Sequence, residues 1–104
     1  MIYSIDVAGL QELREKQRYG LVVIHPSDDT ELVDLLNPIS CALQTEVFHV
    51  ELDKPVREWI RRGSLRAKFP LVLFYKPGKR RVVLYQPNLQ NVVNMCIGRP
   101  YHAN

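Results

Sequence analysis

Residues 69–79 read Phe-Pro-Leu-Val-Leu-Phe-Tyr-Lys-Pro-Gly-Lys, and this stretch decides the C-terminal half of the fold. The apolar run at 71–75 is typical of a buried strand. Pro77 fixes φ at one turn position and Gly78 accepts a positive φ at the next, so residues 76–79 predict a turn. Residues 80–85 are then expected to return as an antiparallel strand.

The rest of the chain extends this hairpin into a mixed α/β pattern. The β-branched run at 21–24 predicts a second buried strand. A stripe of leucine and isoleucine from Leu32 to Leu43 predicts a helix, which Pro38 should kink because proline removes one intrahelical hydrogen bond. A further strand is expected at 47–52, helices near 7–19, 55–62 and 89–97, and a short strand at 2–5. The predicted order is β-α-β-α-β-α-β-β-α, and the chain is expected to form a central sheet covered on both faces.

Length and composition fit one domain. The chain has 104 residues, of which 46% are hydrophobic, which is typical of a globular protein. No run approaches the roughly 20 apolar residues of a membrane span, and no secretory signal is recognised at the N-terminus. Only two cysteines are present, Cys41 and Cys96. A disulfide-stabilised secreted domain usually has more, so an intracellular, cytoplasmic setting is expected.

Three segments resemble the thioredoxin family, and together they span nearly the whole chain. The strand at 21–24 followed by a loop and a helix containing Pro38 resembles the family's active-site region. Residues 50–53 resemble the strand that ends in an aspartate. Residues 69–79 resemble the family's segment with a cis-proline and a Lys-x-Gly turn. The resemblance implies a thioredoxin-like α/β fold of about five strands and four helices at 1–98, a C-terminal tail at 99–104, and a cis Pro70.

The chain departs from the family at its reactive site. Thioredoxins use a cysteine at the start of the kinked helix and a second one three residues later. Residues 27–33 read Ser-Asp-Asp-Thr-Glu-Leu-Val and contain no cysteine. Cys41 and Cys96 match no metal or redox spacing, although the fold would allow a disulfide between them. We therefore predict a redox-inactive protein, with no cofactor or metal, that acts as a protein-binding or structural subunit.

The resemblance also indicates a peptide-binding groove beside Pro70. Its predicted residues are His25, Pro26, Ser27, Asp28, Asp29, Thr30, Phe69, Pro70 and Leu71. The three histidines, His25, His49 and His102, are isolated in the sequence. His25 with Asp28 and Asp29 has the composition of an acid–base group, but Asp28 followed by Glu31 fits a helix capping box better.

Charge is divided unevenly along the chain. Residues 1–53 contain three basic and ten acidic side chains, whereas residues 54–104 contain eleven basic and one acidic. The basic residues form two groups, which predict a contact surface. They are Arg57, Arg61, Arg62, Arg66 and Lys68 in the first group, and Lys76, Lys79, Arg80 and Arg81 in the second. Such groups suit an acidic protein surface, a second copy of the chain, or nucleic acid. Residual thiol–disulfide exchange through Cys41 or Cys96 is a third hypothesis.

Overall fold

The computed structural model describes residues 1–16 and 18–102, which form four α-helices, a 3-10 helix and five strands. The order of strands and helices agrees with that predicted from the sequence. In chain order the elements are β1 (Ile2–Ser4), α1 (Val7–Lys16), β2 (Gly20–His25), α2 (Glu31–Leu36), the 3-10 helix (Asn37–Leu43), β3 (Val47–Glu51), α3 (Lys54–Arg62), β4 (Leu71–Tyr75), β5 (Val82–Tyr85) and α4 (Leu89–Ile97).

The five strands form one mixed sheet in the order β1-β3-β2-β4-β5. β1, β3 and β2 are parallel, whereas β4 is antiparallel to β2 and to β5. Ile24 pairs with Leu71 and Gly20 pairs with Tyr75. The end of β2 and the start of β4 therefore share one edge, here called the loop edge. Gly20 and Tyr75 mark the opposite hairpin edge, about 13 Å away at the usual rise of a strand.

Alternate residues of the two central strands enter two separate cores. Leu21 and Val23 pack with α2, the 3-10 helix and α4 on one face, while Val22 and Ile24 pack with α1 and α3 on the other. Because successive side chains point to opposite faces of a strand, a strand covered on both faces must be apolar throughout. This explains the uninterrupted apolar runs in β2 and β4, whose residues are all buried.

The starts of α1 and α2 differ in their capping. The Asp6 carboxylate accepts a hydrogen bond from the Gly9 backbone N–H at 3.0 Å and caps the start of α1. The predicted capping box at Asp28 is wrong, because α2 begins at Glu31 after Thr30, and Thr30 makes no side-chain capping bond. An exposed start leaves these N–H groups open to water. Pro38 ends α2, and the chain continues as the 3-10 helix instead of a kinked α-helix.

The residues after α4 turn back on that helix. Gly98 has a left-handed φ of 80°, which glycine adopts without steric cost. The Arg99 N–H donates to the Asn94 carbonyl at 2.8 Å, and the His102 N–H donates to the Asn91 side chain at 3.3 Å. The last two residues of the predicted tail, 103 and 104, lie outside the described residues. Within the described part of the chain, no helix has the length and apolar character needed to span a membrane.

Candidate functional site

A groove with a cavity of about 220 Å³ lies at the loop edge, beside Pro70. Three segments line it: the start of α2, the proline itself, and the loop that leads from β5 into α4. Its apolar wall includes Leu35, which is 46% exposed, and Leu32, which is 7% exposed. The full lining is Asp29, Glu31, Leu32, Leu35, Pro70, Pro87, Asn88 and Leu89. We call this cavity the loop-edge groove.

The Pro70 segment is held in place from both sides. The Phe69–Pro70 peptide bond is cis, as the sequence resemblance predicted. The Pro70 carbonyl accepts a hydrogen bond from the Gln86 N–H at 2.9 Å, which ties this segment to the loop after β5. The Phe69 side chain packs against the core that α1 and α3 cover, and it is not part of the groove lining. The groove is therefore open beside the proline.

Two of the nine groove residues predicted from the sequence, Asp29 and Pro70, line this cavity. His25 and Leu71 are buried beneath it, at 1% and 0% exposure. Ser27, Asp28 and Thr30 are exposed in the connecting loop, and Pro26 is half-buried. The Thr30 hydroxyl donates to the Asp34 carboxylate at 2.8 Å and so contributes to the helix surface next to the groove. The structure adds the wall of α2 and the Pro87–Leu89 loop to the predicted set.

The groove has an acidic rim. Asp29 and Glu31 line it, Asp28 and Asp34 are exposed nearby in the loop and on α2, and no lysine or arginine is among the lining residues that the structure describes. Carboxylates and an exposed leucine side by side suit a ligand that carries both positive charge and an apolar group.

His25 and His49, which are isolated from each other in the sequence, form a hydrogen-bonded pair in the structure. His25 Nε2 lies 2.9 Å from His49 Nδ1, and the rings stack with centroids 5.2 Å apart. His25 Nδ1 lies 2.8 Å from the Pro26 carbonyl oxygen, which only accepts, so Nδ1 carries a proton. In the neutral pair His25 Nε2 is then the acceptor and His49 Nδ1–H the donor. The pair thus anchors the start of the 26–30 loop.

Burial and the neighbouring His25 hold the pKa of His49 below its ordinary value, and Glu51 opposes this effect. A proton added to His49 would enter at Nε2, which does not face His25, so the Nδ1–H donor of the pair stays in place. The described residues contain no group of three or more histidine, cysteine or acidic side chains that could hold a metal ion. Neither histidine is among the described residues that line the groove, and the hydrogen bond between them fixes the start of the loop.

Neither cysteine lies at the groove. Cys41 is exposed in the 3-10 helix, and Cys96 is half-buried on α4; both are free thiols. Burial raises the pKa of the Cys96 thiol to about 11, which the nearby Lys76 ammonium partly offsets. A thiol with so high a pKa is a poor nucleophile near neutral pH.

The two predicted basic groups lie on different parts of the molecule. Arg57, Arg61 and Arg62 are on α3, and Arg61 is paired with Glu58. Arg66 and Lys68 are exposed in the loop before β4, where Arg66 stacks on the Tyr85 ring at 5.7 Å. The residues of the second group, Lys76, Lys79, Arg80 and Arg81, line a separate and larger cavity at the hairpin edge. Arg81 also lies over the Trp59 ring at 5.8 Å, so the second group contacts α3, the helix that carries part of the first group.

No protein-family model and no curated protein matches this chain.

Proposed function

We propose that this chain is a thioredoxin-like module without redox activity, and that it binds an extended segment of a partner protein in the loop-edge groove. The observation that carries this proposal is the open, acidic and partly apolar groove beside the cis proline. The strand order, the cis peptide and the two covered sheet faces support the resemblance noted in the sequence.

The backbone at the groove suits an extended chain. Outside helices and strands, the Pro70 carbonyl takes part in a backbone hydrogen bond among the described residues. Neither the N–H nor the carbonyl of Phe69 takes part in such a bond. Thioredoxin-like proteins lay a peptide against backbone groups at this position, so Phe69 supplies a donor and an acceptor for strand-like pairing. Such pairing recognises the backbone of the bound segment, and contacts with the groove walls select its side chains.

The walls indicate which segment would bind. Leu35 offers an exposed apolar contact, and Asp29 and Glu31 offer negative charge at the rim. The segment is therefore expected to alternate apolar and basic residues, because alternation places one kind of side chain towards the groove and the other towards its rim. The absence of cysteine from 27–33 and the raised pKa of Cys96 support binding without thiol exchange.

Fluorescence anisotropy with synthetic peptides tests this proposal. A labelled nine-residue peptide of alternating leucine and lysine should bind the protein more tightly than the same peptide with glutamate in place of lysine. The variant Leu35→Ser should weaken binding by about tenfold, since an exposed leucine covered by a ligand contributes on the order of 1.5 kcal/mol. Glu31→Gln should weaken it less and reduce the salt dependence.

The chain supplies a matched control in Ile97, which is 45% exposed on α4 and does not line the groove. Ile97→Ser should leave peptide affinity unchanged. Equal losses in both variants, or no preference for the basic peptide, would contradict the groove as the binding site. Light scattering on the same samples identifies self-association: if the partner segment comes from a second copy, the measured mass should fall in Leu35→Ser and not in Ile97→Ser.

Nucleic-acid binding is the second candidate, and the approach of Arg81 to α3 favours it. It predicts tight binding of a single-stranded oligonucleotide at physiological salt, with an affinity that falls steeply as salt increases. Loss of that binding in Arg62→Gln together with unchanged peptide affinity would assign the basic surface to nucleic acid. Residual thiol exchange predicts activity that disappears in Cys41→Ser or Cys96→Ser.

A further inference from the structure

A second cavity, larger than the loop-edge groove, lies at the hairpin edge, far from that groove. Its volume is about 630 Å³, within the usual range for small-molecule sites. The end of α1 and the β4–β5 hairpin form its walls. The polar residues that line it are Arg14, Tyr75, Lys76, Lys79, Arg80 and Arg81. We call this the hairpin cavity.

Among the described residues, no acidic side chain forms a salt bridge with the cations of the hairpin cavity. The salt bridges found among the described residues join Lys16 to Glu12, Arg18 to Glu46 and Arg61 to Glu58, and none involves a residue of this cavity. The lining residues that the structure describes include no aspartate or glutamate. Unpaired cations around a concave surface raise the local concentration of anions.

Two of the basic side chains are held by aromatic rings. The Arg81 guanidinium lies 5.8 Å from the centre of the Trp59 ring, which leaves its N–H groups available to a ligand. The Lys76 ammonium lies 5.4 Å from the centre of the Phe74 ring, and Phe74 faces the other core of the sheet. Lys76 therefore contributes mainly its stem to the cavity, and four positive groups remain, those of Arg14, Lys79, Arg80 and Arg81.

Tyr75, which also lines this cavity, carries a hydrogen-bond donor that has no partner among the described residues. Its side chain is 8% exposed, and its hydroxyl is buried with no hydrogen-bond partner among the described residues. Arg81 and Arg14 are near enough to lower the pKa of this hydroxyl, but burial outweighs them and the pKa is raised. Arg81 does not reach it with hydrogen-bond geometry. The hydroxyl therefore keeps its proton at neutral pH and needs an acceptor.

We propose that the hairpin cavity binds a small molecule with a diphosphate group, whose oxygens accept hydrogen bonds from the Tyr75 hydroxyl and from the guanidinium groups of Arg14, Arg80 and Arg81. A diphosphate carries more negative charge near neutral pH than a single phosphate does, and it therefore suits a site with four positive groups better. A small shift of the flexible arginine side chains brings a ligand oxygen to the buried hydroxyl.

The shape of the site favours a small molecule over a nucleic-acid chain. The cations and Tyr75 line one concavity, whereas single-stranded nucleic acid requires a charged track with exposed aromatic rings. The aromatic side chain in the lining, Tyr75, is buried and presents no face for stacking. The diphosphate itself is what the cavity recognises, and it can be inorganic or attached to a nucleoside.

Isothermal titration calorimetry in a phosphate-free buffer tests the proposal with pyrophosphate, ADP and inorganic phosphate as probes. Pyrophosphate should bind saturably at 0.1 M salt, with at least tenfold higher affinity than phosphate. Tighter binding of ADP than of pyrophosphate assigns the site to a nucleotide, and the reverse assigns it to inorganic diphosphate. The single tryptophan, Trp59, should report the same binding by fluorescence, because Arg81 contacts its ring.

Three variants distinguish a specific binding site from non-specific attraction of an anion to positive side chains. Tyr75→Phe should weaken pyrophosphate about tenfold while the protein stays fully folded, since a hydrogen bond to a charged group is lost. Arg81→Gln should weaken it at least as much. Arg57→Gln removes the same charge from α3, outside the cavity, and should change affinity less than twofold. The proposal is overturned if pyrophosphate does not bind below millimolar concentration, or if only long oligonucleotides bind. It is also overturned if Tyr75→Phe binds pyrophosphate normally, or if Arg57→Gln loses as much affinity as Arg81→Gln.

Discussion

Tyr75→Phe is expected to stabilise the free protein, although most substitutions of buried residues destabilise. The Tyr75 hydroxyl is buried without a partner among the described residues, and a buried polar group in this state costs about 1–3 kcal/mol. Phenylalanine removes the hydroxyl and keeps the ring, which packs in the core that α1 and α3 cover. We expect the free energy of unfolding to rise by about 1 kcal/mol, or the melting temperature by about 4 °C.

Tyr85 on the neighbouring strand provides the matched control. Its hydroxyl accepts a hydrogen bond from the Arg66 backbone N–H at 3.1 Å. Tyr85→Phe should therefore destabilise the protein, by about 0.5–1.5 kcal/mol. Urea unfolding followed by circular dichroism, in a buffer without phosphate, measures both variants. A loss of stability in Tyr75→Phe would refute the reasoning, because it would mean that the hydroxyl is already satisfied.

Alkaline unfolding gives a second measurement on Tyr75. Burial raises the pKa of this hydroxyl in the folded state above its ordinary value of 10.0. Above pH 10 the unfolded chain loses this proton more readily than the native state does, so the free energy of unfolding falls as pH rises. Tyr75→Phe should show a smaller fall between pH 9 and pH 11 than the unchanged protein. Equal falls would mean that Tyr75 does not contribute.

Two further predictions concern the histidine pair and the cysteines. In the folded protein the pKa of His49 is held below its ordinary value of 6.5. As pH falls, His49 is therefore protonated in the unfolded chain before it is protonated in the native state, and the free energy of unfolding should fall below about pH 6.5. Urea midpoints at pH 7.5 and pH 5.0 should differ less in His49→Gln than in the unchanged protein; an equal difference contradicts this role. At pH 8 about one Cys96 thiol in a thousand is ionised, because its pKa is about 11. An aromatic disulfide reagent should therefore label the exposed Cys41 quickly and Cys96 only on unfolding, and equally fast labelling of both would contradict this.

The strands and helices could be predicted from local sequence patterns, but their first and last residues were predicted less accurately. The apolar runs of β2 and β4 and the stripe of α4 were readable because each pattern has the period of its own structure. The cis Phe69–Pro70 bond was predicted from family resemblance, since both isomers are compatible with the flanking residues. The start of α2 was misjudged because Asp28 has the side chain of a cap, but the backbone turns into the helix only after Thr30.

The candidate groove was predicted in part. The loop at 25–30 and the proline were recognised as neighbours, which the strand pairing of Ile24 with Leu71 bears out. The exposed face of Leu35 was not recognised as a wall of the groove. In the sequence Leu35 belongs to an apolar helical stripe, and such a stripe does not reveal which of its members the core leaves uncovered.

Local patterns were sufficient to predict the strands, the helices and the hairpin turn, and residues 27–33 contain no cysteine. Which distant side chains meet depends on how the strands and helices pack together. His25 and His49 form their pair because β2 and β3 are adjacent in a register that places Val23 opposite His49. Arg14 joins the hairpin cations because α1 ends at the edge where β4 ends. Periodicity sets the face of each side chain within one strand or helix, whereas the packing between elements sets their relative positions, and both sites depend on that packing.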